Sequence, residues 1–245
     1  MSVTIAVARR ELASFFRLPL GWIAIALFVF LTGIIFSIDT LRPGQPATMR
    51  VFFAFAGWLM LPIVPAVGMR LFAEEFRSGT IEPLLTSPAS DLAVVMGKFL
   101  GGLAFLLLLA SPSLIHAVLL RALSDPAPDV GPMLAGYLSL TLMASLYLAI
   151  ALLCSSLTNN QTLAFLSTFF ALLGLLMGPP LIEQYIPAGD SWQWAREGSR
   201  ALAVNRRAVD FAKGVIDTSH VVFFVSATVG LIVLTATILS SRRWR

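Results

Sequence analysis

The chain has 245 residues, 58% of them hydrophobic and only 12% charged, and its mean hydropathy is +0.86. A soluble domain carries roughly a quarter charged residues, so too few polar side chains exist here to cover a water-facing globule, which excludes a soluble single-domain enzyme, a disordered chain and a collagen-like one. The net charge of +4 reads as a membrane-orientation signal rather than a nucleic-acid footprint, and a lone cysteine, Cys154, excludes an internal disulfide framework and a multi-cysteine zinc site.

The fold class expected is an all-α integral membrane protein, a single transmembrane domain over 1–245. Residues 3–18 read as an amphipathic interfacial helix. Ile5, Ala8, Leu12, Phe15 and Phe16 share one face, with Arg10, Ser14 and Arg17 away from it. The alternative is a solvated basic leader. A helix needs about 20 apolar residues to cross the hydrocarbon core, and six segments qualify, near 20–38, 51–71, 94–120, 133–157, 162–182 and 219–240. Pro62, Pro65, Pro112 and Pro179 fall in or near them as candidate kinks. The first run approaches span length and lacks a small-residue cleavage site, so it reads as a span rather than a signal peptide.

An even number of spans puts both termini on one side. With the termini inside, nine basic residues lie inside and eight outside, five of the eight in the middle of one long outer loop. Basic residues close to span ends orient a protein most strongly, which favours cytoplasmic termini.

Between spans two and three, residues 72–93 form an inner loop with helix punctuation. Gly79 suits a left-handed C-cap, Thr80 suits the N-cap of a following short helix with Glu82 and Pro83 in its first turn, and Ser90 or Asp91 suits the start of span three. Ile81, Leu84 and Leu85 give that short helix an apolar side. It either meets a partner or packs back on its own bundle. The long outer loop, 183–218, carries Trp192 and Trp194, which suit a membrane interface, and a helical spacing of Leu202, Val209 and Ala212. It reads equally as a surface helix or docking face and as a solvated connector.

The span interiors hold no Asp or Glu, and His116 is the ionisable group expected well inside one, as a histidine hydrogen-bonded within the bundle rather than a proton relay. Two histidines, His116 and His220, provide no multi-histidine metal site. Neither H-E-x-x-H nor G-x-S-x-G occurs, and Gly97-Lys98 lacks the rest of a phosphate loop. An intramembrane enzyme would have no nucleophile–base pair. Gly101 and Gly102 suggest close helix approach, and the span serines suggest hydrogen bonds to backbone carbonyls. On composition and pattern alone, this is a bundle that either works with an external motor or is a passive or ion-coupled channel or carrier.

The stretch Phe72-Ala-Glu-Glu-Phe-Arg-Ser-Gly-Thr-Ile-Glu-Pro-Leu-Leu-Thr-Ser-Pro, followed by Asp91 and Gly97-Lys98-Phe99, resembles the first cytoplasmic loop of ABC-2-type transporter permeases, especially those of gliding motility and nitrous-oxide-reductase maturation. Pro128-Asp-Val-Gly-Pro-Met-Leu-Ala-Gly-Tyr137, Ser155-Ser-Leu-Thr-Asn-Asn-Gln161 and Phe211-Ala-Lys-Gly-Val-Ile-Asp217 agree with the same group. The resemblance implies a multi-pass subunit of a bacterial or archaeal inner membrane, non-catalytic itself. It pairs with a second permease copy or a paralogue, recruits cytoplasmic ABC ATPase subunits, and in some relatives works with an extracytoplasmic or membrane-anchored accessory protein. ATP and Mg are expected on the ATPase, with no cofactor in this chain and no nucleic acid as partner. The inner loop would be the coupling helix seated in a cleft of the ATPase. Glu74, Glu75 and Glu82 would make charged contacts there, Arg77 would pair within the loop or across to the partner, and Gly79 and Thr80 would set the break between helices. Ile81, Leu84 and Leu85 would complete the interface. Pro83 departs from the family pattern. The expected outcome is export of a substrate, amphiphilic or polymeric, or mechanical signalling across the membrane.

Overall fold

The computed structural model describes residues 3–42, 44, 46–80, 90–185 and 192–243. Every regular element among them is helical. Helix α1 is Val3–Arg17, and α2, Pro19–Ile35, starts on a proline at its first position, where the missing N–H costs nothing. A π-helical turn, Phe36–Thr40, ends the first span. Helix α3 (Arg50–Gly68) runs unbroken over Pro62 and Pro65 and is followed by the short α4 (Ala73–Ser78). Helix α5 (Asp91–Ala110) is capped by Ser90, whose hydroxyl accepts the Ala93 N–H at 3.2 Å.

Pro112 has the effect expected of it: span three changes to a 3-10 turn at Ser111–Ser113 and resumes as α6 (Leu114–Leu123). Asp129 caps α7 (Val130–Leu157) through the Gly131 N–H. Helix α8 (Gln161–Tyr185) contains Pro179 and Pro180 without interruption, and α9 (Gln193–Leu202), α10 (Val204–Ala212) and α11 (Thr218–Arg243) complete the chain. Six helical stretches are long and apolar enough to cross a membrane. The protein is thus an all-α, multi-pass membrane protein.

The six are not equivalent. More than half of the most apolar stretch of spans two, three and four is buried within the chain, against 22% in spans one, five and six. Helix α7 sits at the centre, packed against α3, α5, α8, α10 and α11. Its buried residues include Ala135, Gly136, Ser139, Ala144, Ala149, Ala151 and Ser155, small side chains that let neighbouring backbones approach where lipid offers no hydrophobic drive for association.

Two expected faces are corrected. On α1 the buried stripe is Val7, Glu11 and Phe15; Ala8, Leu12 and Phe16 flank it, and Ile5 is exposed. A stripe drawn through apolar residues alone is rotated, because the inward position at its middle is an acid whose partner lies inside the bundle. The outer loop is not a solvated connector over its described part. It forms α9 and α10, and α10 docks on α7 and α3 through Val204, Phe211 and Ala212, leaving Leu202 and Val209 exposed.

Candidate functional site

Helix α1, α4, the start of α5 and the ends of α7 and α11 lie at one end of the bundle, called here the terminal end. There the chain leaves α3, turns through Met69–Phe72 and enters α4. The first N–H groups of a helix have no partner within it, and here a neighbouring helix supplies one. Ser155, in the last turn of α7, accepts the N–H of Phe72 at 3.1 Å and of Ala73 at 3.0 Å, and its hydroxyl donates to the Met69 carbonyl at 3.2 Å. Leu71, Phe72 and Ala73 are fully buried. Helix α4 ends at Gly79, whose φ of +71° is the left-handed conformation a side chain would oppose.

Lys98, in α5, is 1% exposed. A buried ammonium is tolerated only when its charge is paired and its donors are used, and this one meets both conditions. It donates to Glu11 Oε1 at 3.0 Å and to the Leu71 carbonyl and forms an ion pair with Glu75 Oε1 at 2.9 Å; the Phe72 ring centroid lies 5.1 Å from its Nζ. Arg10 closes the arrangement from outside, at 3.1 Å from Glu11 Oε1 and 2.7 Å from Glu75 Oε1. Two cations and two carboxylates thus alternate, and the same oxygen of each acid serves both cations. Partial burial works against the charge on Arg10, but the contacts to Glu11 and Glu75 outweigh it and raise its pKa. Glu75 Oε2 is buried without a hydrogen-bond partner.

The arrangement requires α1 to lie close against α5, and two glycines one helical turn apart allow it. A Cβ on Gly97 would stand 2.7 Å from Val7 Cβ, and one on Gly101 would stand 2.8 Å from the Ala8 carbonyl oxygen and from Glu11 Cβ. The sequence motif that resembles a fragment of a phosphate loop, Gly97-Lys98, is therefore a docking groove with a charge in its floor.

Of the residues singled out from sequence, Glu75 is the one turned inward. Glu74 pairs with Arg70, at 2.9 Å and 3.2 Å, and stays half-exposed. Arg77, Ser78, Gly79 and Thr80 are exposed, with the Ser78 and Thr80 hydroxyls 2.8 Å apart. Ile81, Glu82, Leu84 and Leu85 lie outside the described residues. Sequence reasoning missed Glu11, Lys98 and Ser155 as site residues. A usable signal existed for the first two: charges of opposite sign within apolar stripes, one on the helix before the first span and one near the start of span three. His116 is a correction in one respect: it stacks on Phe36 at 4.7 Å, and its Nδ1 is buried without a hydrogen-bond partner. Among the described residues no three His, Cys, Asp or Glu gather as a metal site. Both cations of the quartet are paired, and the contacts join α1, α4 and α5 into one unit, with Ser155 adding α7.

Residues 34–196 match the family described as ABC-2 family transporter protein, well over half of the chain. This chain belongs to the ABC-2 transporter family. A search of curated proteins finds no significant match. Family membership makes the chain the permease, the membrane-spanning part of an ABC transporter, and implies ABC ATPase subunits and dimeric permeases. The matched range contains Glu75, Lys98 and Ser155 and begins after Arg10 and Glu11. In this permease, α1 thus brings its acid to a lysine of the matched range from outside that range.

Proposed function

We propose that this permease couples ATP hydrolysis by a separate cytoplasmic ATPase to export of an amphiphilic substrate across a bacterial or archaeal inner membrane, its terminal end facing the cytoplasm. The observation that carries the reading is the attachment of α4. A short helix at the end of the bundle is bonded through Glu75 to Arg10 of α1 and Lys98 of α5 and through its first N–H groups to Ser155 of α7, so a push on it reaches three other helices together rather than bending a free loop. Glu74 and Arg77 on α4's exposed side, with Thr80, Ile81, Glu82, Leu84 and Leu85 beyond it, would meet the ATPase. Glu75 would act from within, as the anchor that makes the push rigid.

The concentration of basic residues near span ends on this side supports the orientation. For the partner permease, a second copy or a paralogue, α8 offers an outward face with Phe170 and Leu181 exposed and open space beyond Gly174 and Gly178, a G-x-x-x-G spacing. The resemblance to gliding-motility and nitrous-oxide-reductase-maturation permeases extends the proposal to an extracytoplasmic or membrane-anchored accessory protein, with α9 and α10 as the surface it would meet.

The test is purification in mild detergent after co-expression with the genomic neighbours, followed by identification of co-purifying chains and an ATPase assay. A stoichiometric subunit with a phosphate loop is expected, and Glu82→Lys is expected to release it or abolish ATP turnover while leaving membrane insertion intact. Normal recovery and turnover in that variant would overturn the coupling assignment. A permease that purifies alone under gentle conditions would favour the channel or carrier instead.

A further inference from the structure

At the opposite end of the bundle, α10 roofs a cavity of about 460 Å³ bounded by α3, α7 and the end of α8. Its volume lies within the range of small-molecule sites. The walls are mostly apolar, with Trp58 and Met143 among them, and three polar side chains line it: Asn205, whose amide donates to the Leu176 carbonyl at 3.5 Å, and Arg50 and Ser139, which are placed as a ligand site places them. Arg50 stands at the first turn of α3, exposed and without an ion pair among the described residues. The acids of α8 and α10 have other partners: Glu183 pairs with Arg200 at 3.5 Å and Arg206 at 3.0 Å, and Asp210 with Lys213 at 3.6 Å, with His220 Nε2 4.0 Å away. Deeper in, Ser139 is 4% exposed and its hydroxyl has no hydrogen-bond partner. A serine in mid-helix ordinarily bonds the carbonyl one turn back, as Ser145 and Thr141 of the same helix do at 2.8 Å and 2.9 Å. Ser139 departs from that habit where it faces the cavity.

A cation at the rim, an apolar interior and an unsatisfied hydroxyl within suit one occupant chemistry. A neutral apolar guest would leave the buried Ser139 hydroxyl unsatisfied and make no use of the cation at the rim, and a small anion would leave the apolar walls unfilled. We propose that this cavity binds a single-chain amphiphile, its anionic head at Arg50 and the first α3 turn and its chain along Trp58 and Met143, with Ser139 donating to a polar atom near the head. As a cargo site it rests on the export reading above; as a binding site it is tested on the permease alone, so failure here leaves the ATPase coupling untouched, and the reverse.

Trp58 provides the readout. The permease is prepared with Trp58 as its sole tryptophan, the other four changed to Phe, in phosphatidylcholine nanodiscs, and titrated with a brominated fatty acid that quenches indole fluorescence. Saturable quenching is expected, weakened about tenfold or more by Arg50→Glu and largely restored by Arg50→Lys, since a lost charge-assisted hydrogen bond is worth about that much. Ala208→Phe, which fills the cavity from α10, should remove the saturable component. Ser139→Val provides a second route should that variant fail to fold, and should weaken binding. Competition by an unlabelled alkyl phosphate against an unlabelled fatty acid then assigns the head as phosphate or carboxylate. Quenching that never saturates, that is equal in Arg50→Glu, or that a brominated monoacylglycerol reproduces with equal affinity would overturn the proposal.

Discussion

Each end of this bundle holds a short helix against the same central helix, and the two attachments differ in kind. At the terminal end α4 is joined by ion pairs built around the buried Lys98 and by the two N–H groups that the Ser155 hydroxyl accepts. At the opposite end α10 is seated through apolar side chains, with ion pairs at the surface and a cavity beneath. Buried charges hold geometry because any displacement leaves one of them unpaired, whereas an apolar contact slides at small cost. The first construction suits transmission of force, and the second suits a site that must admit and release a guest.

That contrast can be broken most forcefully at Lys98. Lys98→Met leaves Glu11 and Glu75 facing each other without their buried counter-ion, and the expected loss is about 3–5 kcal/mol of stability. It would be read as a large drop in melting temperature of the detergent-purified permease. Adding Glu11→Gln and Glu75→Gln should recover most of it, and a Lys98→Met variant as stable as the parent would show that the quartet holds nothing. Next in size, Gly101→Leu puts a side chain into the backbone of α1 and is expected to cost about 1–3 kcal/mol; protease sensitivity within residues 3–17 would report the undocked helix. Ser155→Ala removes the acceptor for two buried N–H groups, with a comparable cost of about 1–3 kcal/mol. Unlike Gly101→Leu, it should leave α1 protected and lower the coupling of ATP turnover to transport. The smallest effects sharpen the contrast: Arg10→Gln at one end and Arg206→Gln at the other each remove an exposed partner, worth about 1 kcal/mol or less. Salt should mask both.

Parts of the site were legible in the residues. Gly79 was readable as a left-handed stop and Ser90 as the cap of α5, since both depend on local backbone chemistry. The interruption at Pro112 follows from a missing N–H. The quartet was not readable in the same way. Glu11 and Lys98 are 87 positions apart, and each alone looks like a residue out of place. Glu75 shows why a motif does not assign orientation: its neighbour Glu74 faces outward while it faces in, a choice made by where the Lys98 ammonium lies.

The sequence by itself determined that this protein lives in a membrane and that six helical stretches are long and apolar enough to cross it, because hydropathy, caps and breakers act over a few neighbouring residues and the bilayer demands helices. It also carried the family, through the stretch beginning at Phe72. Only the tertiary structure decided which three spans form the core, which face of α1 and of α10 is buried, and that Arg10, Glu11, Glu75 and Lys98 meet. Those outcomes depend on shape complementarity and charge pairing between segments far apart in the chain, and neither exists until the helices have packed.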